Sequence, residues 1–401
     1  MRVNRSEGGL GMGSSAGTNF EKFGIDPSRG FLPKEDPLQA LPAEFHAWEE
    51  AACQLPKLLV SDQTRAVIDS LPLFDAGKLS GEREYERAMI LLSYLGHSYV
   101  WASKVAPSAF PKCLAVPWHA VAKKLGRPPV LSYASYALHN WRRFDLERGA
   151  ELGNIALLQN FLGGIDEEWF VVVHIAIEEQ AAGALTLLLT GLDARDQGDT
   201  ALLNSIMKRI SASLARIYET LARMPDACDP YVYYTRVRPY IHGWKDNPAL
   251  PDGMLYEGVE EYRNVPQKFR GETGAQSSII PVLDAFFDIA QEDDFLSQHL
   301  REMRNYMPPP HRAFIETIEE RKGIRDFVKQ HLQNAAVLRA SYNECVEWID
   351  RFRGKHLQYA ADYIEAQKQS STGNPTIIGT GGTPFITYLT KHQRGTAAHL
   401  L

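Results

Sequence analysis

Two histidines of this 401-residue chain, His174 in "VVVHIAIEE" and His356 in "RGKHLQYAADY", sit among apolar neighbours at helical spacing. Around His356, the residues Leu338, Tyr342, Val346, Ile349, Phe352, Ala360 and Tyr363 recur at steps of three and four, the apolar stripe of an amphipathic helix. An imidazole on such a stripe has two readings. The commoner is a core histidine satisfied by a polar neighbour; the other is an axial ligand to a haem iron, which asks the protein for one helix-borne histidine facing a pocket. On the second reading His174 is a candidate for the opposite face. Arg238 in "YYTRVRPYIHGWKDNP" is a third candidate: a guanidinium among aromatic rings suits a two-pronged grip on a small carboxylate attached to an aromatic body. Its bland alternative is that Arg236 and Arg238 are surface arginines beside core aromatics. Asp284, on the apolar segment "PVLDAFFDIA", needs a cationic partner if it is buried. Arg353, one turn before His356, can supply it.

Other chemistries lack their residues. None of the 12 histidines has Glu three positions before it, as a di-iron carboxylate bundle requires. His-Glu-x-x-His for zinc and Gly-x-x-x-x-Gly-Lys for nucleotide phosphates are absent. "GTGGT" at 379–383 has only a loose likeness to a phosphate loop and reads as a flexible cover. Cys53, Cys113, Cys228 and Cys345 form no Cys-x-x-Cys pair and read as four reduced thiols.

The elements that must position these residues are helical. Residues 1 to 40 read as a Gly/Ser-rich tail and a proline-punctuated lead-in. From there apolar residues recur at three- and four-residue steps between Pro and Gly stops, in "GEREYERAMILLSYLGHSYVWASKVA", "SYASYALHNWRRF", "DTALLNSIMKRISASLARIYETLARM" and a long final helix from about Asn334 to Gln367. "WFVVVHIAIEEQAAGALTLLLTGLDA" is apolar almost all round, as in a helix buried inside the protein. Strand-period alternation is scarce, so the fold class is all-α. The Arg-rich "NWRRFDLERGAELGN" suggests a boundary between a small domain, 41–147, and a larger one, 148–401. The Gly/Ser/Thr-rich stretch 367–385 reads as a mobile loop over a site. A net charge of -6 with no basic, aromatic-interleaved run excludes nucleic acid as an expected partner. Apolar runs too short to span a bilayer, and an amino terminus without an apolar signal region, lead to the expectation of a cytoplasmic protein with no membrane partner. Oligomeric state is not legible.

Several long segments, in register, resemble one known family. "PYIHGWKDNPALPDGMLYEGV", "FRGETGAQSSIIPVLDAFF", "MRNYMPPPHRAFI", "GKHLQYAADYI" and "GTGGTPF" are similar to the signature segments of the indoleamine 2,3-dioxygenases. "CLAVPWHAVAKKLGRPPVLSYASYALHNW" resembles that family's small domain, and the likeness covers roughly residues 40 to 395. It implies an all-α haem b enzyme that opens the pyrrole ring of L-tryptophan with O2 to give N-formylkynurenine, the first step of the kynurenine route. By position, His356 resembles the proximal iron ligand, Asp284 and Arg353 the ion pair behind it, and Gly274 the glycine-rich stretch at the haem edge. Tyr133 and Phe170 resemble distal pocket residues, Tyr233 an aromatic wall, Arg238 the carboxylate-binding arginine, and Thr380 the threonine that closes over the amino acid. Two departures stand out. His174 occupies a distal position usually held by serine in the mammalian enzymes, an arrangement similar to tryptophan 2,3-dioxygenase and expected of a bacterial-type member. Glu272 occupies a position that is usually small. The alternatives are a related haem enzyme acting on another indole, and a haem protein that only binds O2.

Overall fold

The computed structural model describes residues 20–289, 295–332, 336–367 and 385–401. Among them the chain is helical almost throughout. Its β-structure amounts to two isolated bridges and two ladders of two residues per strand, Ala109–Phe110 parallel to Leu255–Tyr256 and Arg142–Arg143 antiparallel to Ile155–Ala156. The all-α expectation holds.

The organising element is the 32-residue central helix Ile165–Asp196. Its sequence is apolar on every side, and Val171, Val173, Ile175, Ala181, Leu188, Leu192 and Ala194 are fully enclosed. Among the described residues it is the one helix long and apolar enough to cross a membrane, yet 72% of its apolar window is covered by protein, the pattern of a core helix. Its start is fixed by Glu167, whose carboxyl accepts the amides of Phe161 (2.6 Å), Leu162 (3.0 Å) and Gly163 (2.7 Å). These are the kind of backbone donors that the irregular chain before a helix leaves unsatisfied. At the other end Gly198, at φ +71°, turns the chain, and the Asp199 carboxylate accepts the Leu202 amide at 2.8 Å. This caps the antiparallel helix Thr200–Ala222. That helix packs on the central one and, on its far side, on Ala336–Ala360, the helix of His356.

One sequence expectation is sharpened and two change. The proline-rich lead-in is irregular but anchored: Phe23 and Phe31 are buried, with rings 5.1 Å from Phe314 and 4.4 Å from His311. "SYASYALHNWRRF" is not a regular helix but a single π-helical turn, Ala134–Leu138. It stops because the Asn140 side chain ties the segment sideways, donating to Tyr94 Oη and the Gln159 carbonyl and accepting the Gln159 amide. The His356 helix, expected to be the last, is followed by another, Phe385–Ala397, which packs back on it. Asn343 exchanges two hydrogen bonds with the backbone of Leu401, 2.8 and 2.9 Å, and closes that end.

Candidate functional site

The stripe around His356 is buried as its spacing requires, with Leu338, Tyr342, Val346, Ile349, Ala360 and Tyr363 all enclosed. Phe352 is half-buried and His356 is exposed, although protein surrounds the imidazole closely enough that burial pulls its pKa down to about 4. Both observations hold together if the ring borders an internal cleft open to water, while the bulk around it is protein. His174 adds to the depression of the His356 pKa, so the two imidazoles, from different helices, lie near enough to influence each other. The His356 side chain makes no hydrogen bond among the described residues. A core histidine would be satisfied by a neighbour; this one is left free for a ligand.

One turn earlier, Arg353 Nη2 donates to Asp284 Oδ2 at 2.6 Å, and Nη1 donates to Thr396 Oγ1. The pair expected from sequence is present. It clamps the His356 helix to Ile279–Phe286 and Phe385–Ala397 directly behind the imidazole.

On the opposite side, His174 Nδ1 lies 2.7 Å from the Phe170 carbonyl. A carbonyl only accepts, and burial lowers the pKa of this imidazole, so the ring is neutral with its proton on Nδ1. Nε2 is therefore a lone-pair acceptor. Aromatic rings flank it: Phe170 at 4.8 Å, Tyr133 edge-on at 6.0 Å, and, behind Phe170, Tyr233 tilted against it at 4.6 Å. Tyr133 is held at both ends, its amide donating to Gln276 Oε1 and its hydroxyl to Glu178 Oε1, each at 2.9 Å. The structure separates the two candidate arginines: Arg236 is exposed, whereas Arg238 is 1% exposed, with its guanidinium 5.5 Å from the Tyr234 ring. Just beyond Arg238 the chain makes a close backbone crossing. A Cβ on Gly243 would lie 2.2 Å from the Gly271 amide nitrogen, so only glycines let segment 241–244 pass 269–272. The crossing is locked by Trp244 N–H to the Phe269 carbonyl (2.9 Å) and Glu272 N–H to the Ile241 carbonyl (3.0 Å). Gly274 borders open space, since a Cβ there would meet nothing within 4 Å. Thr380 and the rest of 368–384 lie outside the described residues.

Sequence reading missed Glu178, Tyr136 and Ser277. Glu178 falls four residues after His174, on the same face of the same helix, which was the available signal. It is fully buried, donors from Tyr133 and Ser277 converge on one of its oxygens, and burial pushes its pKa up to about 7. Burial likewise raises Glu167 to about 7 and Glu272 to about 8.

These shifts make stability pH-dependent in a specific window. Carboxyls with raised folded pKa values hold protons that the unfolded chain, ionising near 4.5, has lost, so they make stability fall as pH rises from about 4.5 to 8. Histidines depressed to about 4, His97, His299 and His356, act oppositely, but only below about 6.5. Between pH 6.5 and 8 the carboxyls are unopposed. Urea midpoints of the haem-free protein are expected to fall across that window, and Glu272→Gln to remove the part of the fall above pH 7. A flat profile for the parent protein contradicts the burial of these acids.

Among the described residues no cluster of three or more His, Cys, Asp or Glu side chains could hold a bare metal ion. The indoleamine 2,3-dioxygenase family model matches residues 19–399. The chain is 33% identical to indoleamine 2,3-dioxygenase 2 of Homo sapiens over 399 residues, 96% of each chain. It is 35% identical to indoleamine 2,3-dioxygenase 1 of Rattus norvegicus over 396 residues, covering 95% of this chain and 96% of that one. Identity to the Saccharomyces cerevisiae enzyme is 30% over 427 aligned residues, 94% of this chain and 93% of that one. With a free imidazole at the cleft, a neutral one opposite it and a buried arginine beside aromatic walls, the chain belongs to the indoleamine 2,3-dioxygenase family of haem-dependent oxidoreductases acting on indoles.

Proposed function

We propose that the protein binds haem b through His356 and cleaves the indole 2,3-bond of L-tryptophan with O2, giving N-formylkynurenine. The observation that carries this reading is the pair of imidazoles near enough to influence each other, one without a hydrogen-bond partner and the other a neutral acceptor. When bound, haem supplies the redox chemistry toward O2 that no side chain provides. In the net reaction the C2–C3 bond breaks and each carbon becomes a carbonyl. Both oxygen atoms thus enter the product, and no external reductant is consumed.

The chain's own contribution is positioning. Arg238 receives the substrate carboxylate, and Thr380 closes over the amino-acid end. Phe170, Tyr133 and Tyr233 hold the indole, and His174 Nε2 accepts its N–H, which sets the ring orientation. Asp284 and Arg353 keep the His356 helix from sliding. Gly274 leaves room at the edge of the cleft. Glu178 fixes Tyr133 by accepting from its hydroxyl.

The test is to mix reduced, haem-loaded protein anaerobically with L-tryptophan, admit air, and follow the absorbance of N-formylkynurenine. Product in many-fold excess over protein is expected. A haem spectrum perturbed by tryptophan without product moves the activity to another indole. His174→Ala is expected to keep the haem, lower kcat by roughly 10- to 100-fold, and relax the rejection of 1-methyl-tryptophan, because a site built to pair with an N–H discriminates strongly against its absence. Loss of haem from His174→Ala would remove that residue from the substrate side.

A further inference from the structure

Away from the cleft, a cavity of about 370 Å³ opens between the helix His46–Cys53 and the segment 158–160. That volume suits a small molecule, and none of the residues named in the mechanism above borders it. His46, Glu49, Glu50 and Cys53 fall at steps of three and four, so one face of the helix forms one wall. Gln159 ties the opposite wall to that helix, its side-chain amide donating to the Ala52 carbonyl at 2.8 Å and to the Asn160 carbonyl at 3.0 Å. Arg87, 5% exposed, borders the same space from the helix Gly81–Trp101. Its Nε and Nη2 donate to the two oxygens of Glu49, at 3.0 and 2.5 Å, and Glu49 Oε1 also accepts the Leu41 amide at 2.8 Å.

Two fully enclosed polar atoms on the residues around this cavity make no hydrogen bond: Arg87 Nη1, a donor, and Asn160 Oδ1, an acceptor. The guanidinium is not free to turn and spend its third nitrogen elsewhere, because Glu49 holds the other two. Arg87 also borders a wider groove lined by residues of 20–38, but Asn160 borders only the small cavity of the two, so donor and acceptor meet there. Buried polar groups are normally paired, and a donor and an acceptor left over around one small space call for a molecule that supplies both counterparts. Charge narrows the choice. Glu49 already meets the charge of Arg87, and Glu50 stands exposed at the rim, so an anion gains little. A cation has nothing to accept the Arg87 N–H.

We infer that this cavity is a second ligand site, separate from the cleft of His356, for small neutral molecules carrying a primary carboxamide. The amide oxygen accepts from Arg87 Nη1, its N–H donates to Asn160 Oδ1, and the apolar remainder lies against Pro56 and Leu158. A carboxylate of the same shape has no N–H for Asn160, and a methyl ketone has the oxygen alone, so each leaves a buried group unpaired. The site stands or falls independently of the reaction proposed above.

The experiment titrates the haem-loaded, full-length protein calorimetrically with benzamide, benzoate and acetophenone, which share one ring and one shape. A second readout uses Cys53, an exposed thiol on the cavity wall. Its modification by methyl methanethiosulfonate is followed by peptide mass spectrometry, with half-buried Cys113 as internal reference. Benzamide is expected to bind about 10-fold or more tighter than either analogue, to slow the modification of Cys53 but not of Cys113, and to leave the haem absorption unmoved. Asn160→Leu is expected to bring benzamide down to the level of acetophenone. Arg87→Lys, which keeps a cation against Glu49 without the fixed third nitrogen, is expected to weaken both compounds alike. Equal binding of the three compounds, or none, means that water satisfies both atoms and overturns the site. Benzamide binding that shifts the haem absorption, or that survives Asn160→Leu unchanged, overturns it too, since the ligand then sits elsewhere.

Discussion

His356→Leu is expected to yield a folded protein that has lost the intense visible absorption of bound haem and cleaves indoles at no measurable rate. The helix does not need the imidazole: leucine fits an apolar stripe already made by Leu338, Tyr342, Val346 and Ile349. The haem does need it, as the axial ligand proposed above. A second readout separates loss of a ligand from general damage. The neutral His356 of the folded protein, with its pKa near 4, is protonated in the unfolded chain below about pH 6.5, which draws the haem-free protein toward unfolding in acid. Haem-free His356→Leu should therefore be more stable than the parent at pH 5, with the difference shrinking by pH 7. A variant that still binds haem stoichiometrically, or that is equally destabilised at both pH values, contradicts the assignment.

The second large effect is expected at Arg238. A carboxylate held by two charge-assisted hydrogen bonds is worth roughly 3–4 kcal/mol, so Arg238→Leu should lower kcat/KM for L-tryptophan by about 10²- to 10³-fold, mostly through KM. Tryptamine supplies the control. It carries the same indole without the carboxylate, so its much poorer turnover should be nearly indifferent to the substitution. Equal losses for both compounds would mean that Arg238 supports the pocket walls and not the amino-acid end. Arg238→Lys should recover only part of the loss, since an ammonium cannot reproduce the planar two-pronged grip.

The helical fold was legible because it rests on periodicity, which survives in a single sequence. The stripe through His356, the all-round apolar central helix and the Asp284–Arg353 pair followed from where apolar residues recur and from what a buried acid must have beside it. Tyr136 and Glu178 were not legible, because their meaning comes from neighbours far away in the chain: Glu178 is defined by Tyr133 and Ser277, Tyr136 by the absence of any partner. The Phe385–Ala397 helix was missed behind a Gly- and Thr-rich stretch that draws the eye to a loop. The irregular turn at Ala134–Leu138 was read as an ordinary helix because one extra residue in a turn leaves most three- and four-step spacings intact.

That turn is not alone. Tyr233–Val237 and Ala361–Glu365 are also π-helical, and the three turns supply Tyr136, Tyr233 and Tyr363, with the last two ring to ring at 5.8 Å. A π-turn is an α-helix carrying one additional residue. Removing that residue would rotate everything beyond it by about 100° relative to what precedes it. The pocket of this enzyme can therefore be re-cut by single-residue deletions and insertions at three places, each swapping one ring for its neighbour in the chain. Descent and laboratory evolution alike could change its substrate through changes in length, which a search confined to substitutions never samples.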